Sequence, residues 1–326
     1  MFRQSLGTAP RTGTRPPAPS WAVALQGGGA HGAFAWGVLD RLLEEEDGLR
    51  IAALSGASAG AVNAVVAAHG LLLGGPSKAR AALRKLWTTI GQMSFLSPLG
   101  FPGGGFQVDL LTRMVSPYQF NPLNLNPMRD LLEEMVDFDL LRRETPIPLF
   151  ISTTHVRTGR PRIFREHEIT ADVLMASTCI PHLHQAVTIE GEAYWDGGLS
   201  ANPPILPLVL DTDCDSLLVV KLTPKDEPTP TAASDILARM RRIMFNALLE
   251  RELDALTEMR TLLEHQNPLP EKLKRVRDLD LHSLAITHGL VAESSALNTR
   301  PDLLARLHDA GYAAADPFPI RAAARP

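Results

Sequence analysis

Two short apolar segments near the start of the chain are each followed by a glycine-containing turn and then by a helical pattern. The first is residues 21–26, Trp-Ala-Val-Ala-Leu-Gln, and the second is residues 51–56, Ile-Ala-Ala-Leu-Ser-Gly. Apolar runs of this length, bounded by turn residues, are typical of fully buried strands. Strands that alternate with helices predict an α/β fold, in which helices cover both faces of a parallel sheet and functional loops gather at the carboxyl ends of the strands.

Further strands and helices are predicted along the rest of the chain. The first two helices are expected at residues 31–46 and 59–73, and a long amphipathic helix is expected to begin at Ser234. Residues 91–127 are rich in Pro, Gly, Asn and Phe, which predicts a long loop with short helical pieces. Later strands are predicted at residues 147–156, 162–165, 186–190, 192–195 and 217–222.

The long helix carries an apolar stripe, which we expect to face the protein core. The stripe consists of Ile236, Leu237, Met240, Ile243, Met244, Leu248 and Leu249.

The composition is that of one large domain. A chain of 326 residues, 45% of them hydrophobic, can bury a sizeable core. We predict a disordered N-terminal tail at residues 1–20, a core at 21–223, and a helical or mixed extension at 224–326 that packs on the same domain.

Charge and cysteine content disfavour several functions. A formal net charge of -4 provides no global positive field for nucleic acid. Cys179 and Cys214 are far apart and belong to no metal-binding pattern, so buried free thiols are expected and no metal site. The N-terminal residues lack the apolar segment of a secretory signal, and no later stretch is expected to reach the length of a membrane span, so a cytoplasmic location is expected.

Residues 56–60, Gly-Ala-Ser-Ala-Gly, form a GxSxG pattern between the second predicted strand and its helix. Small residues around the serine allow a strained turn that exposes its hydroxyl, and a helix N-terminus favours negative charge. Ser58 is therefore a candidate nucleophile, with Gly56 and Gly60 shaping the turn. The alternative is a tight turn in which Ser58 only caps the helix.

A glycine box at residues 26–32, Gln-Gly-Gly-Gly-Ala-His-Gly, follows the first predicted strand. The backbone N–H groups of Gly27, Gly28 and Gly29 are candidate donors to an oxyanion. The same residues match the GxGxxG pattern of dinucleotide-binding folds, which need an acidic residue at the end of the second strand. Asp47 has about the right spacing but precedes that strand, so hydrolysis is favoured.

A serine nucleophile needs a base, and Asp196 is the strongest candidate. It follows a predicted hairpin, and Gly197 and Gly198 permit a sharp turn beside another backbone. A partly buried carboxylate also gains basicity. The alternative is an ordinary Asp-Gly turn without a catalytic role.

A histidine base of the α/β-hydrolase type is a rival interpretation, because a late histidine would complete a triad. His282, His288 and His308 are late enough, although none has an obvious acidic partner in the sequence. The earlier histidines, which we expect to be core or exposed residues, are His155, His182 and His184.

Taken together, these motifs resemble the patatin-like phospholipase family. Four elements occur in the family's order over roughly residues 23–208: the glycine box 27–32, the turn 56–60, the run 176–181, Ala-Ser-Thr-Cys-Ile-Pro, and the stretch 195–203, Trp-Asp-Gly-Gly-Leu-Ser-Ala-Asn-Pro. The resemblance implies a three-layer α/β/α fold with a mostly parallel central sheet. It also implies a Ser58–Asp196 dyad with the glycine box as oxyanion hole, and no metal or organic cofactor.

The function that the resemblance implies is a serine lipid acyl hydrolase, similar to phospholipase A or lysophospholipase, with a phospholipid or another acyl glycerolipid as substrate. Two alternatives remain open: a catalytically weak lipid-binding or scaffold protein with the same fold, and a dinucleotide-binding protein. Transient contact with a membrane surface is compatible with the implied substrate. A basic cluster on the long helix would suit anionic lipid, although a solvated helix face is the preferred explanation of these charges: Arg239, Arg241 and Arg242.

One position departs from the family's usual pattern. The residue before Gly32, commonly arginine or lysine, is His31. We expect a charged His31 to replace part of that electrostatic support, which would make activity depend on pH near the unperturbed histidine pKa of about 6.5.

Overall fold

The computed structural model of the protein describes residues 20–44, 50–96, 115–292 and 296–316. The predicted N-terminal tail up to residue 19, Asp47 and residues 97–114 of the predicted loop lie outside these ranges. The strands are β1 (Ser20–Leu25), β2 (Arg50–Gly56), β3 (Leu149–His155), β4 (Pro161–Arg165), β5 (Val187–Ile189), β6 (Glu192–Asp196), β7 (Ser216–Lys221) and β8 (Asp280–Ala285).

Helices connect the strands and cover the sheet. They are α1 (Gly32–Leu42), α2 (Ala59–Leu96), α3 (Pro117–Phe120), α4 (Pro127–Met135), α5 (Phe138–Glu144), α6 (Ala171–Ser177), α7 (Leu206–Leu210), α8 (Ala233–Leu263), α9 (Glu271–Asp278), α10 (His288–Ala292) and α11 (Pro301–Ala315). The predicted helix at 59–73 is the first half of α2. It kinks at Gly74 and Gly75 and then continues through the beginning of the segment predicted as loop.

The strands form one sheet of mostly parallel character, which confirms the predicted α/β class. Its order is β5-β6-β3-β2-β1-β7-β8, with β4 paired to β3. The central run from β3 through β2, β1 and β7 to β8 is parallel. The pairings of β4, β5 and β6 are antiparallel.

Strand β1 shows how the chain builds a layer on each face of the sheet. Alternate side chains point to opposite faces of a strand. Ala22 and Ala24 pack in one apolar cluster with residues of α7, α8 and α9. Trp21, Val23 and Leu25 pack in a second cluster with residues of α1, α2 and α11. Helices therefore bury both faces of the sheet, and the strand is apolar throughout.

Strand β3 brings two distant parts of the sequence to the same place. Residues 150 and 151 pair with both β2 and β4, whereas residues 153 and 154 pair with both β4 and β6. Because a strand has only two edges, β2 and β6 share the edge that β4 does not occupy. They run toward each other there: β2 ends at Gly56, opposite Ile151, and β6 ends at Asp196, opposite Thr153. The residues that follow β2 thus meet the end of β6.

The C-terminal part contributes to both the sheet and one helical layer. Strand β8 extends the sheet parallel to β7, and α11 packs against α1. The two helices approach closely at glycines, since a Cβ added at Gly37 or Gly311 would overlap the carbonyl oxygens of His308 and Phe34, respectively. Neither β8 nor α11 was predicted from the sequence.

Helix α2 corrects the expectation about membrane-spanning length. Residues Ala59–Met93 are long and apolar enough to cross a membrane by length and composition alone. However, 61% of the apolar window is buried inside the protein. The core helix of a folded domain has the same properties. The buried side chains in the first half of α2 belong to the second apolar cluster.

The apolar stripe of α8 is also placed differently from the prediction. Leu249 is buried in the core, as predicted. The five stripe residues nearer the start of the helix are 40–62% exposed: Ile236, Leu237, Met240, Ile243 and Met244. The contacts that attach this half to the domain come instead from the opposite side of the helix, at Arg239, Arg242, Phe245 and Asn246.

Candidate active site

The GxSxG turn is a strained elbow packed against the end of β1. Ser58 has a φ of 52°, in the left-handed region that costs a non-glycine residue conformational energy. A Cβ at Gly60 would overlap the carbonyl oxygen of Leu25, so only glycine allows this approach. Helix α2 begins at Ala59, which places Ser58 at a helix N-terminus.

Ser58 is held from the opposite side by α6. Its backbone N–H donates to Oγ of Ser177 at 3.0 Å, and Ser177 is fully buried at the last position of α6. Ser177 belongs to the run 176–181, but no role was predicted for it from the sequence. A buried hydroxyl that fixes the strained residue explains why a serine belongs there.

The glycine box crosses directly over the elbow. A Cβ at Gly27 would lie 2.8 Å from Cβ of Ser58, so the two backbones are in contact. The N–H of Gly27 donates to Oδ1 of Asn202 at 2.7 Å. By contrast, the N–H groups of Gly28 and Gly29 donate to no acceptor in the part of the chain that the structure describes. The predicted set of three donors therefore divides into one engaged N–H group and two available ones.

Asn202 connects the glycine box to α8. Its side chain is buried, accepts from Gly27 through Oδ1, and donates through Nδ2 to the carbonyl oxygen of Phe245 at 3.1 Å. Sequence analysis did not single out Asn202, because an asparagine after Asp-Gly-Gly is an ordinary turn residue. Only the fold places its amide beside the glycine box.

Asp196 lies where β6 ends against β3, and it is 2% exposed. Oδ1 accepts the N–H of Gly198 at 2.8 Å. Oδ2 is buried and accepts no hydrogen bond of standard geometry from the described residues, although the Ser58 hydroxyl interacts closely enough to affect the carboxyl group. Burial raises the pKa of Asp196 to about 6, while the Ser58 hydroxyl and the hydrogen bond from Gly198 act in the opposite direction and lower it.

Two close contacts fix the loop after Asp196. A Cβ at Gly197 would overlap the carbonyl oxygen of Ser152 in β3, and a Cβ at Gly198 would overlap the ring of Phe245. The hydroxyl of Ser152 donates to the carbonyl oxygen of Ala201 at 2.8 Å. The loop is therefore clamped between β3 and α8, which leaves the carboxylate little freedom to turn away from the elbow.

The late histidines lie in other surroundings. His308 contacts Asp40 at 3.2 Å and packs on Trp36, His288 lies 3.7 Å from Glu227, and the ring of His282 packs on Trp21. Among the earlier histidines, His155 bonds Glu192 at 2.9 Å. Each of these histidines thus has a partner other than Ser58, whereas the Ser58 hydroxyl affects the carboxyl group of Asp196.

Three other predicted features have clear positions. His31 is buried in the single turn of 3₁₀ helix that precedes α1. Cys179 and Cys214 are free and buried, as predicted. Burial and the nearby Asp196 raise the pKa of the Cys179 thiol to about 12, so this sulfur stays neutral beside the site. Within the described ranges, no three His, Cys, Asp or Glu residues cluster in a way that would hold a metal ion.

The site and sheet together define an α/β protein with a serine elbow at the carboxyl edge of a mostly parallel sheet. Residues 23–209 match the family model described as patatin-like phospholipase. Because this match covers more than half of the 326 residues, the chain belongs to the patatin-like phospholipase family, a family of lipid acyl hydrolases. A comparison with curated protein sequences gives no match.

Two solved structures are similar to the chain at low identity. One is VipD from Legionella pneumophila, with 15% identity and a TM-score of 0.40 over 92% of this chain and 66% of that chain. The other is the ExoU–SpcU complex from the type III secretion system of Pseudomonas aeruginosa, with 20% identity and a TM-score of 0.33 over 81% of this chain and 57% of that chain. The chain thus spans less than two thirds of the length of either match.

The burial of Asp196 predicts that Asp196→Asn stabilises the folded protein at neutral and alkaline pH. A pKa raised to about 6 means that the folded state favours the protonated carboxyl, so its stabilising contribution is complete below the unfolded pKa of about 3.9 and is lost as pH rises through 6. The neutral amide avoids this loss. We expect Asp196→Asn to raise the free energy of unfolding by roughly 3 kcal/mol at pH 8 and to change it little below pH 4. Urea unfolding at both pH values measures the difference.

The matched control is Asp254→Asn, at an exposed position of α8. This change is expected to alter the free energy of unfolding by less than about 0.5 kcal/mol at either pH. Equal stability of the native protein and Asp196→Asn at pH 8 would contradict the burial of an ionised carboxylate.

Proposed function

We propose that the protein is a serine lipid acyl hydrolase in which Ser58 is the nucleophile and Asp196 is its base. The observation that carries the proposal is the head-to-head meeting of β2 and β6 on one edge of β3. The proposal is supported by the strained, buried serine that follows β2 and by the buried carboxylate at the end of β6, whose Oδ2 accepts no hydrogen bond from the described residues.

In the proposed reaction, Asp196 accepts the proton of the Ser58 hydroxyl as its oxygen attacks the acyl carbonyl of the lipid. The tetrahedral intermediate collapses to an acyl-enzyme as Asp196 gives this proton to the departing oxygen, so the alcohol part of the substrate leaves and the carboxylate is restored. Asp196 then takes a proton from water as the water oxygen attacks the acyl group, and it gives that proton to the Ser58 oxygen as the fatty acid is released. The desolvated carboxylate suits this role, since its raised pKa makes it a stronger base than an exposed aspartate while leaving it ionised at neutral pH.

The proposed oxyanion donors are the N–H groups of Gly28 and Gly29, which have no acceptor in the described chain. The third predicted donor, Gly27, has its N–H bonded to Asn202, so we assign it the separate role of packing against Ser58. One donor of this kind contributes about 2.7–4 kcal/mol to transition-state stabilisation in other serine hydrolases. The electrostatic role of His31 stays a proposal.

The proposed substrates are phospholipids and other acyl glycerolipids, in keeping with membership of a phospholipase family. No residue of the described site distinguishes head groups, so we propose the chemical class rather than one lipid. The reaction needs only Ser58, Asp196, backbone donors and water, and we propose no cofactor.

Substitution of the dyad tests the proposed function directly. Ser58→Ala and Asp196→Asn are each expected to lower kcat for a short-chain ester and for phosphatidylcholine by at least about 10³-fold, because each removes a group that acts in the chemical step. A fluorophosphonate probe is expected to label Ser58 in the native protein. Native-like circular dichroism of each variant is the control for folding.

Each alternative function gives a different result in the same experiment. Absence of labelling and hydrolysis, together with lipid binding, indicates a scaffold protein. Thermal stabilisation by NAD without labelling indicates dinucleotide binding. Full activity in either variant would show that the dyad is wrong.

The raised pKa of Asp196 predicts the acid limb of the pH–rate profile. The base must be ionised, so kcat/KM for a soluble ester is expected to rise about tenfold per pH unit below pH 6 and to level off above it. Intrinsic fluorescence over the same range checks that the fold persists. His31→Arg is expected to keep this limb, because the limb belongs to Asp196. A limb that moves with His31 would instead assign it to the imidazole.

Asn202 is proposed as a positioning residue for the glycine box. Asn202→Ala removes the bonds to Gly27 and Phe245, so the donors beside Ser58 lose their fixed position. We expect kcat to fall about 10²-fold, with KM for a short-chain ester changed less than threefold and the acid limb retained. Steady-state kinetics well below the unfolding temperature separate these effects.

The control for Asn202 is Thr212→Ala, which removes another buried polar side chain, whose hydroxyl donates to the carbonyl oxygen of Leu208 at 2.6 Å and makes no contact with the glycine box. This variant is expected to lose stability and to keep kcat within about fivefold. Similar losses of kcat in both variants would mean that Asn202 acts only through general stability.

A further inference from the structure

The first half of α8 has its apolar side chains outside and its polar contacts inside. Ile236, Leu237, Met240, Ile243 and Met244 follow the i, i+1, i+4, i+7, i+8 spacing of one helical face, and all are 40–62% exposed. We call these five residues the outer face of α8. Monomeric proteins seldom expose contiguous apolar surface without a partner for it.

The opposite side of the same helix segment packs against the candidate active site. The Phe245 ring lies against Gly198, two residues after Asp196. The Phe245 carbonyl accepts from Asn202, and Asn246 accepts from Gln26 at the start of the glycine box. A surface that contacts the outer face of α8 would therefore lie one helix diameter, about 10 Å, from the catalytic loop.

Two of the three arginines next to the outer face, Arg239 and Arg242, are neutralised inside the protein. Arg239 and Arg242 donate to Glu227 at 2.7 and 2.6 Å, and the Glu227 side chain is only 1% exposed. Arginine side chains committed to a buried carboxylate cannot also bind lipid phosphates without breaking these bonds. The pairing leaves the face apolar and disfavours the basic-cluster docking on anionic lipid that the sequence had suggested.

We propose that the outer face of α8 is the surface by which the protein docks on a phospholipid bilayer, with its apolar side chains inserted at the boundary between head groups and acyl chains. This inference rests on the proposed function, since an acyl lipid hydrolase must meet substrate that is held in an interface. Helices with an apolar face of this kind lie in the plane of the bilayer surface. Docking through apolar contact alone suits a zwitterionic surface as well as an anionic one.

A second copy of the chain fits this face less well. Even the largest aromatic side chains bury about 150–250 Å² each. Five half-exposed aliphatic side chains therefore offer less than the roughly 800 Å² per partner that a stable dimer buries. A bilayer needs no such matched area.

Vesicle flotation tests the docking surface in the absence of hydrolysis. In the Ser58→Ala background, full-length protein is mixed with phosphatidylcholine vesicles, and the bound fraction is measured across lipid concentration. Ile243→Glu/Met244→Glu is expected to weaken binding at least tenfold.

The matched control is Leu73→Glu, at a 56% exposed leucine at the kink of α2, far along the helix from Ser58. It is expected to change binding less than twofold, and binding at 0.1 and 0.5 M salt is expected to agree within threefold.

Kinetics with Ser58 intact separate the docking surface from the active site. The double substitution is expected to leave hydrolysis of a soluble short-chain ester within twofold and to lower hydrolysis of vesicle phosphatidylcholine at least tenfold. If the double substitution lowers the unfolding temperature, Met240→Gln provides the same comparison, with at least a threefold loss of vesicle binding expected.

The outcomes distinguish the two proposals. Absence of ester hydrolysis by the native protein, with vesicle binding that still depends on the outer face, overturns the proposed function and leaves the docking surface in place. Vesicle binding that is absent in the native protein, or that survives the double substitution, overturns the docking surface. A concentration-dependent dimer that the double substitution dissociates, without vesicle binding, assigns the face to a second copy and also overturns it.

Discussion

The geometry of the candidate site depends on the way in which two strands share one edge of β3. Strand β2 runs up this edge and ends at Gly56, and β6 runs down it and ends at Asp196. The two strand ends leave a gap on this edge opposite one residue of β3, Ser152, and the serine elbow begins at the end of β2. Backbone hydrogen bonds of the sheet therefore set the relative position of Ser58 and Asp196, although the sequence separates them by more than a hundred residues.

The gap can be this narrow because small residues line it. Backbone contacts backbone where Gly27 crosses Ser58, where Gly60 meets β1, and where Gly197 meets β3. At each of these contacts, the absence of a glycine side chain allows two peptide groups to approach closely. Water is excluded as a result, which is the physical origin of the raised pKa of Asp196. The same packing that builds the site thus tunes its base.

Sequence patterns predicted the parts of the fold that local chemistry specifies. Apolar runs followed by glycine turns identified β1 and β2, and the GxSxG and Asp-Gly-Gly patterns placed Ser58 and Asp196 at the ends of strands. The edge that β2 and β6 share was not predictable, because strand order depends on contacts between distant segments. The hydrogen bonds of Asn202 and Ser177 were invisible for the same reason.

Helix α8 shows a different limit of pattern analysis. Periodicity located its apolar stripe but could not state which side of the helix the fold would bury. The inner side of the first half holds Phe245, Asn246 and arginines that pair with the buried Glu227. The first part of the stripe, which was predicted to face the core, is therefore exposed. Polar residues on the opposite side of the helix make the contacts with the rest of the protein.

The buried carboxylate has an evolutionary consequence. Active sites commonly hold groups that a fold would be more stable without. A single-nucleotide mutation that replaced Asp196 by a neutral residue would remove the activity proposed for this chain. It would also remove the energetic cost of a negative charge buried against β3. Inactive descendants of such an enzyme would then fold at least as well as their ancestor. A gene copy no longer selected for hydrolysis would therefore still encode a stably folded protein.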